Sequence, residues 1–106
     1  MAWICLVIAG MLEVAWAYSM KLSEGFSRPW PTVLTLVLMI ASFGLLSISM
    51  RSLPLGTAYT IWTGIGAVGA FVVGIAVLGE QASLMRIAAG GLIVCGIVLM
   101  KLSSPH

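Results

Sequence analysis

Residues 32–50, TVLTLVLMIASFGLLSISM, carry no charged side chain and decide the fold class of this chain. A helix needs about 20 mostly apolar residues to cross a hydrocarbon core roughly 30 Å thick, and this stretch has that length. The rest of the chain is similar: 61% of its 106 residues are hydrophobic, 8% are charged, and the mean hydropathy is +1.18. Soluble domains carry roughly 25% charged residues, so the composition excludes a soluble globular protein. It also excludes intrinsic disorder, which requires low hydrophobicity and high charge.

Three further apolar stretches flank this one, and each is long enough to span a membrane. We predict helices at about 2–20, 32–50, 57–78 and 84–101, joined by short connections that contain Gly, Pro or charged residues. Pro31 suits the first turn of the second helix, and Ser83 suits the N-cap of the fourth. The predicted fold class is therefore an all-α integral membrane protein, with residues 1–106 forming one domain of four transmembrane helices.

The positive charges do not favour one orientation of these helices in the membrane. Arg51 and Lys101 are expected on the side of the N-terminus, and Lys21, Arg28 and Arg86 on the other. Cytoplasmic loops normally carry the excess of Lys and Arg, and the α-amino group makes this count even. Either one orientation prevails for reasons outside this count, or both are inserted, which would permit an antiparallel homodimer. A net charge of +2 forms no basic patch, so no nucleic-acid partner is expected.

Small residues on the third and fourth predicted helices indicate close contacts between helices. Ala89 and Gly96 lie about two turns apart on helix four, and we predict that they pack in a dimer interface. Gly66, Ala70 and Gly74 recur at four-residue spacing on helix three and form a stripe of small side chains. We interpret both sets as packing residues.

Glu13 is the residue that helix packing does not explain. It lies about 16 Å into helix one at 1.5 Å per residue, near the midplane of the bilayer. An ionisable group there costs at least ~2.5–3.5 kcal/mol on insertion scales, and such carboxylates usually face a water-filled cavity and carry ions or protons. Because burial penalises the charged form, we expect the carboxyl group to hold either a proton or a cation. The alternative is a protonated carboxyl group that only docks one helix against another.

The residues around Glu13 indicate the kind of cation. Gly10 and Trp16 share its helix face, the first leaving space and the second placing a flat ring beside the carboxyl group. Such a ring favours a planar or delocalised cation through cation–π attraction, although a tryptophan that fills the bundle core or faces lipid fits the spacing equally. The other residues expected to line the pocket are Ser42 on helix two and Tyr59 and Trp62 on helix three.

Three segments resemble the small multidrug resistance family: EVAW at 13–16, KLSEGF at 21–26 and PLGTAYTIWTGIGAVGA at 54–70. Trp16 and the run WTGIGA at 62–67 are similar to its guanidinium-exporter subtype, whereas the quaternary-ammonium subtype usually has a small residue at the position of Trp16 and Ser at that of Thr63. The resemblance implies an antiparallel, dual-topology homodimer in the bacterial cytoplasmic (inner) membrane. It also implies export of guanidinium cations in exchange for protons by alternating access, with Glu13 of both subunits binding either substrate or protons.

The resemblance further implies a role for each pocket residue. Glu13 would pair with the planar N–H groups of the substrate, and Trp16 would restrict the site to flat or singly substituted cations. Ser42 would hydrogen-bond Glu13 or the substrate and hold the carboxylate in position. Tyr59 and Trp62 would line the same cavity, and the sequence leaves open which subunit supplies them.

Other functions remain compatible with the residues. The chain would export quaternary ammonium ions if Trp16 does not restrict the site, or would be a non-transporting subunit of a larger complex if Glu13 only docks helices. An exporter built from two different chains is disfavoured by the even charge count. An enzyme is not expected, because the one histidine, His106, lies in the C-terminal tail and no nucleophile has a positioned base. Cys5 and Cys95 fall inside predicted spans as small hydrophobic residues, so the sequence indicates no disulfide, metal or cofactor.

Overall fold

The computed structural model describes residues 2–103, and this part of the chain forms four α-helices. They are α1 (Ala2–Leu22), α2 (Pro29–Ser49), α3 (Leu55–Ala76) and α4 (Leu84–Ser103). Each is long and apolar enough to cross a membrane, which confirms the prediction of an all-α chain with four spans. Met1 and residues 104–106, which include His106, lie outside the described residues.

Helices α2 and α3 begin earlier than predicted, at the connections that contain proline. α2 begins at Pro29 rather than Thr32, because a proline in the first helical turn lacks only an N–H that has no partner there. α3 begins at Leu55, directly after the extended residue Pro54. It ends at Ala76, short of the predicted residue 78, and Gly79 beyond it has a φ of +72° that a helix cannot continue through.

Helix α1 lies at the centre of the arrangement. It packs against α2 and α3, whereas α4 packs against α3. Buried apolar residues come from α1, α2, α3 and, at Leu53, the connection between α2 and α3, whereas no residue of α4 is buried within the described chain. The chain is flattened, with extents of 43 × 34 × 16 Å.

The contact between α1 and α2 is built on hydroxyl groups. Thr35, Ser42 and Ser49 are fully buried and recur every seventh residue, so they form one stripe of α2. Thr35 Oγ1 lies 2.8 Å from Ser19 Oγ of α1 and 2.7 Å from Pro31 O, and the Ser19 hydroxyl donates to Pro31 O at 2.9 Å. These short side chains let the two helices approach closely, and the contact of Thr35 with Ser19 joins them about 10 Å along α2 from Ser42.

Candidate functional site

Glu13 lies where α1 crosses α3, and its carboxyl group rests directly on Gly66. A Cβ atom at Gly66 would overlap the carboxyl group, so only glycine leaves room for it. A Cβ atom at Gly10 would lie 2.6 Å from Ile65 Cγ2 of α3. Gly10 was predicted to line the pocket, but the structure places it in the buried helix contact under Ile65, because α1 and α3 can come this close only where a side chain is missing.

Two polar atoms at this crossing are buried and lack a partner. Glu13 Oε1 and Trp16 Nε1 make no hydrogen bond within residues 2–103. Buried polar atoms nearly always have partners, and an unsatisfied one costs about 1–3 kcal/mol. The two residues lie one turn apart on the same face of α1. The unpaired carboxyl oxygen is therefore suited to accept from a proton donor or to pair with a cation.

Four aromatic rings form a row beside Glu13 across three helices. The ring centroids of Trp16 and Phe43 are 6.2 Å apart, and those of Phe43 and Trp62 are 5.7 Å apart, both edge to face. Tyr59 continues the row at 5.6 Å from Trp62. We call these four residues the aromatic row. It connects Trp16 to Trp62 and Tyr59 within one chain, through the ring of Phe43.

Ser42 connects all three of these helices. Its hydroxyl group donates to Ala9 O of α1 at 2.7 Å and accepts from Trp62 Nε1 of α3 at 3.0 Å, and both bonds are buried. Ser42 is thus bonded to Ala9 and Trp62 and not to Glu13, which the resemblance had suggested as its partner. It acts on the site by fixing the indole of Trp62, which is 6% exposed, and by tying α2 to the turn of α1 that precedes Glu13.

The residues assigned to a dimer interface lie on the outer surface of this chain. Ala89 and Gly96 are exposed on α4, and a Cβ atom at Gly96 would have nothing within 4 Å. Gly96 and the half-exposed Tyr59 line a cavity of about 500 Å³ between α3 and α4. The contact of α4 with α3 uses other positions, including Ile97, whose side chain would meet a Cβ atom at Gly64.

Sequence reasoning missed two residues of the site. Gly66 was assigned to a packing stripe, although its position four residues after Trp62 puts both on one face of α3 and could have linked it to the pocket. Phe43 was not among the predicted pocket residues, although it directly follows Ser42. Its large ring nevertheless reaches Trp16 and Trp62 on either side.

Comparison with known proteins relates nearly the whole chain to one group of proteins. A family model described as Small Multidrug Resistance protein matches residues 1–93. The chain is 61% identical over 104 residues to the guanidinium exporter of Yersinia pseudotuberculosis serotype I (strain IP32953), which covers 98% of this chain and 100% of the relative. It is 58% identical to the guanidinium exporter of Escherichia coli (strain K12) and 56% identical to that of Salmonella typhimurium, with 98% of this chain and 99% of each relative covered.

Proposed function

This chain belongs to the small multidrug resistance family, and from that premise we propose that it exports guanidinium and small substituted guanidinium cations in exchange for protons. Relatives 56–61% identical over nearly their whole length are named guanidinium exporters, which supports this class of substrate. The four membrane-spanning helices make it a multi-pass membrane protein, and the bacterial cytoplasmic (inner) membrane is the proposed location.

The observation that carries the proposal is the buried, unpaired carboxyl oxygen of Glu13. A carboxylate in a membrane interior needs a counter-charge or a proton, because desolvation strongly penalises the bare anion. Guanidinium supplies the charge together with paired N–H donors whose spacing matches a carboxylate. Since a proton and a guanidinium ion compete for the same oxygens, binding of one releases the other. This competition is the physical basis of the proposed antiport.

The aromatic row supports a flat cation as the substrate. Trp16 lies one turn from Glu13 on the same face of α1, and its edge-to-face contact with Phe43 restricts the position of its ring. A guanidinium plane is able to stack on such a ring while it donates to the carboxylate. A bulky tetrahedral quaternary ammonium ion has no N–H group to offer the carboxylate and needs more space beside the ring.

We further propose that two copies assemble as an antiparallel homodimer with both Glu13 residues facing one cavity. α4 has no buried residue within the described chain, so it offers an exposed apolar surface to a second copy. The even distribution of Lys and Arg permits insertion in both orientations. In such a pair the two subunits would exchange conformations to open the cavity to each side of the membrane in turn, which is alternating access.

The proposal is tested in proteoliposomes that contain this protein alone. Proton-coupled uptake is measured for guanidinium, a singly substituted guanidine and a quaternary ammonium ion, with wild type and Glu13→Gln. Glu24→Gln is the matched control, because Glu24 is an exposed loop residue outside the site. We expect guanidinium to move protons, Glu13→Gln to abolish this and Glu24→Gln to retain it.

Each of the other outcomes would indicate a different function for this chain. Proton movement with the quaternary ammonium ion alone would assign the chain to the drug-exporting branch of the family. No transport by folded dimers would contradict the exporter proposal and favour a structural role in which Glu13 docks helices.

A further inference from the structure

The guanidinium group of Arg86 is held by three neighbouring groups near the C-terminal end of α3. Its Nη2 lies 3.9 Å from Glu80 Oε1, and its Nη1 donates to Gln81 O at 2.8 Å. The guanidinium carbon lies 5.2 Å from the centroid of the Phe71 ring. A carboxylate, a carbonyl oxygen and an aromatic face thus surround a guanidinium group. We call Glu80, Gln81 O and the Phe71 ring the outer site.

The outer site repeats the arrangement at Glu13. A Cβ atom at Gly74 would overlap the Glu80 carboxylate, as a Cβ atom at Gly66 would overlap that of Glu13. Gly66 and Gly74 lie two turns apart on the same stripe of α3, about 12 Å along the helix. In both places a carboxylate rests on a bare segment of α3 with an aromatic ring nearby.

A cavity adjoins the outer site. It has a volume of about 350 Å³ between α1, α3 and the start of α4, and both Glu80 and Arg86 line its outer end together with Lys21. Its inner end is lined by Val14 and Ala67, which directly follow Glu13 and Gly66 in the sequence. The cavity therefore extends from the outer site to the depth of Glu13 along α1, on the neighbouring face of that helix.

We propose that the outer site is a second guanidinium-binding site, at which a substrate guanidinium displaces that of Arg86 on its way between bulk solvent and Glu13. The inference rests on the proposed function, because it assigns the outer site to the same substrate. Arg86 serves as a tethered competitor whose head group has the chemistry of the substrate. Any cation that replaces it must therefore satisfy the same carboxylate, carbonyl and ring.

The contacts of Arg86 are weak enough for this exchange. The side chains of Arg86 and Glu80 are 46% and 44% exposed, and ion pairs at exposed sites add little stability because water and salt screen them. A side chain tethered close to its site acts as a competitor at an effective concentration in the millimolar range. Removal of Arg86 should therefore tighten the binding of free guanidinium several-fold.

The test measures binding by NMR in the Glu13→Gln background, where the inner carboxylate is removed and transport is not needed. Folded protein in bicelles is titrated with guanidinium chloride at constant ionic strength, with sodium chloride as the reference, and the amide signals of Gly74 and Gln81 are followed. We expect saturable shifts with guanidinium only. Adding Arg86→Gln should lower the apparent Kd at least threefold, and adding Glu80→Gln should abolish saturation.

Two further variants separate a specific site from a general effect of charge. Lys21→Gln removes the same charge as Arg86→Gln from the same cavity but does not free the outer site, so it should change the apparent Kd less. Gly74→Ala keeps every charge and displaces the Glu80 carboxylate, so it should weaken binding as Glu80→Gln does.

The proposal is overturned if no saturable shift occurs with or without Arg86, or if the Lys21 and Arg86 variants act equally. Binding here by a protein that moves no guanidinium would overturn the proposed function alone.

Discussion

At the scale of single residues, the site depends on the absence of a side chain at Gly66 of α3 as much as on the carboxyl group of Glu13 on α1. The Glu13 carboxyl group occupies the space that a side chain at position 66 would fill. Contact with a bare backbone holds the carboxyl group against α3 on one side, while its Oε1 has no partner within the described residues. The glycine therefore sets the position from which Glu13 meets a cation or a proton.

Gly66→Ala should displace the Glu13 carboxyl group without removing its charge. The added methyl group would overlap the carboxyl group, so the side chain of Glu13 must move away from position 66. We expect at least a tenfold rise in KM for guanidinium, measured by proteoliposome uptake, with the protein still folded. Gly56→Ala on the same helix is the control, because nothing lies within 4 Å of its Cβ position, and it should leave KM unchanged. Equal KM values for both variants would contradict this role of Gly66.

Ser42→Ala should destabilise the chain mainly through Trp62. Without the hydroxyl group the buried Trp62 N–H loses its acceptor, which costs about 1–3 kcal/mol of the free energy of unfolding. In a Trp62→Phe background the same substitution should cost clearly less, because no N–H is left unpaired. Unfolding in detergent measures both values, and Ser47→Ala, at an exposed position of α2, should change stability little. Additive effects of the Ser42 and Trp62 substitutions would show that this bond carries no coupling.

At the scale of the elements, α1 and α2 are joined by hydroxyl groups, which hold their register without a large apolar core. Thr35→Val keeps the shape of the side chain and removes the contacts with Ser19 Oγ and Pro31 O. Hydrogen bonds between membrane helices average about 0.6 kcal/mol and reach about 1.7 kcal/mol, and we expect a loss of stability in that range. KM for guanidinium should not change, since Thr35 is about 10 Å along α2 from Ser42.

Thr32→Val is the matched control for this substitution. The Thr32 hydroxyl bonds only to Arg28 O in the same turn, so its loss should leave the contact between α1 and α2 intact. A Thr35→Val protein as stable as Thr32→Val would show that the hydroxyl stripe does not hold these helices together.

The elements also show why the sequence predicted some features and missed others. Four spans follow from the length of apolar stretches alone, whereas helix ends depend on local choices such as the start of α2 at Pro29. Trp16 and Trp62 were expected in one pocket, but the bond from Trp62 to Ser42 depends on how α2 and α3 are rotated about their axes. The same rotation decides that Gly10 faces Ile65 rather than the pocket. Spacing within one helix carries no information on such rotation.

At the scale of the whole molecule, α4 has no buried residue within the described chain, and we propose that a second copy covers it. Gly96→Leu adds a side chain at the open cavity between α3 and α4, where no described atom lies within 4 Å of the Cβ position, so the single chain should still fold. We expect the variant to lose the dimer, as measured by cross-linking in detergent, and to lose guanidinium transport. Val98→Leu is the control, because Val98 is half exposed and lies about 200° around α4 from Gly96. Dimers of Gly96→Leu as stable as wild type would exclude Gly96 from the interface.

If two copies assemble antiparallel, transport requires that the chain be inserted into the membrane in both orientations. Ser52→Lys with Ser103→Lys adds positive charge at the end of the chain that carries Arg51, whereas Glu24→Lys with Ser27→Lys adds it at the opposite end, and all four positions are exposed. Because Lys and Arg are retained on the cytoplasmic side, each double variant should insert in a single orientation. Either variant alone then lacks an inverted partner and should not transport guanidinium, whereas co-expression of the two should restore transport. Full activity of one variant alone, with its single orientation verified by labelling, would rule out the antiparallel dimer and require that one orientation suffices.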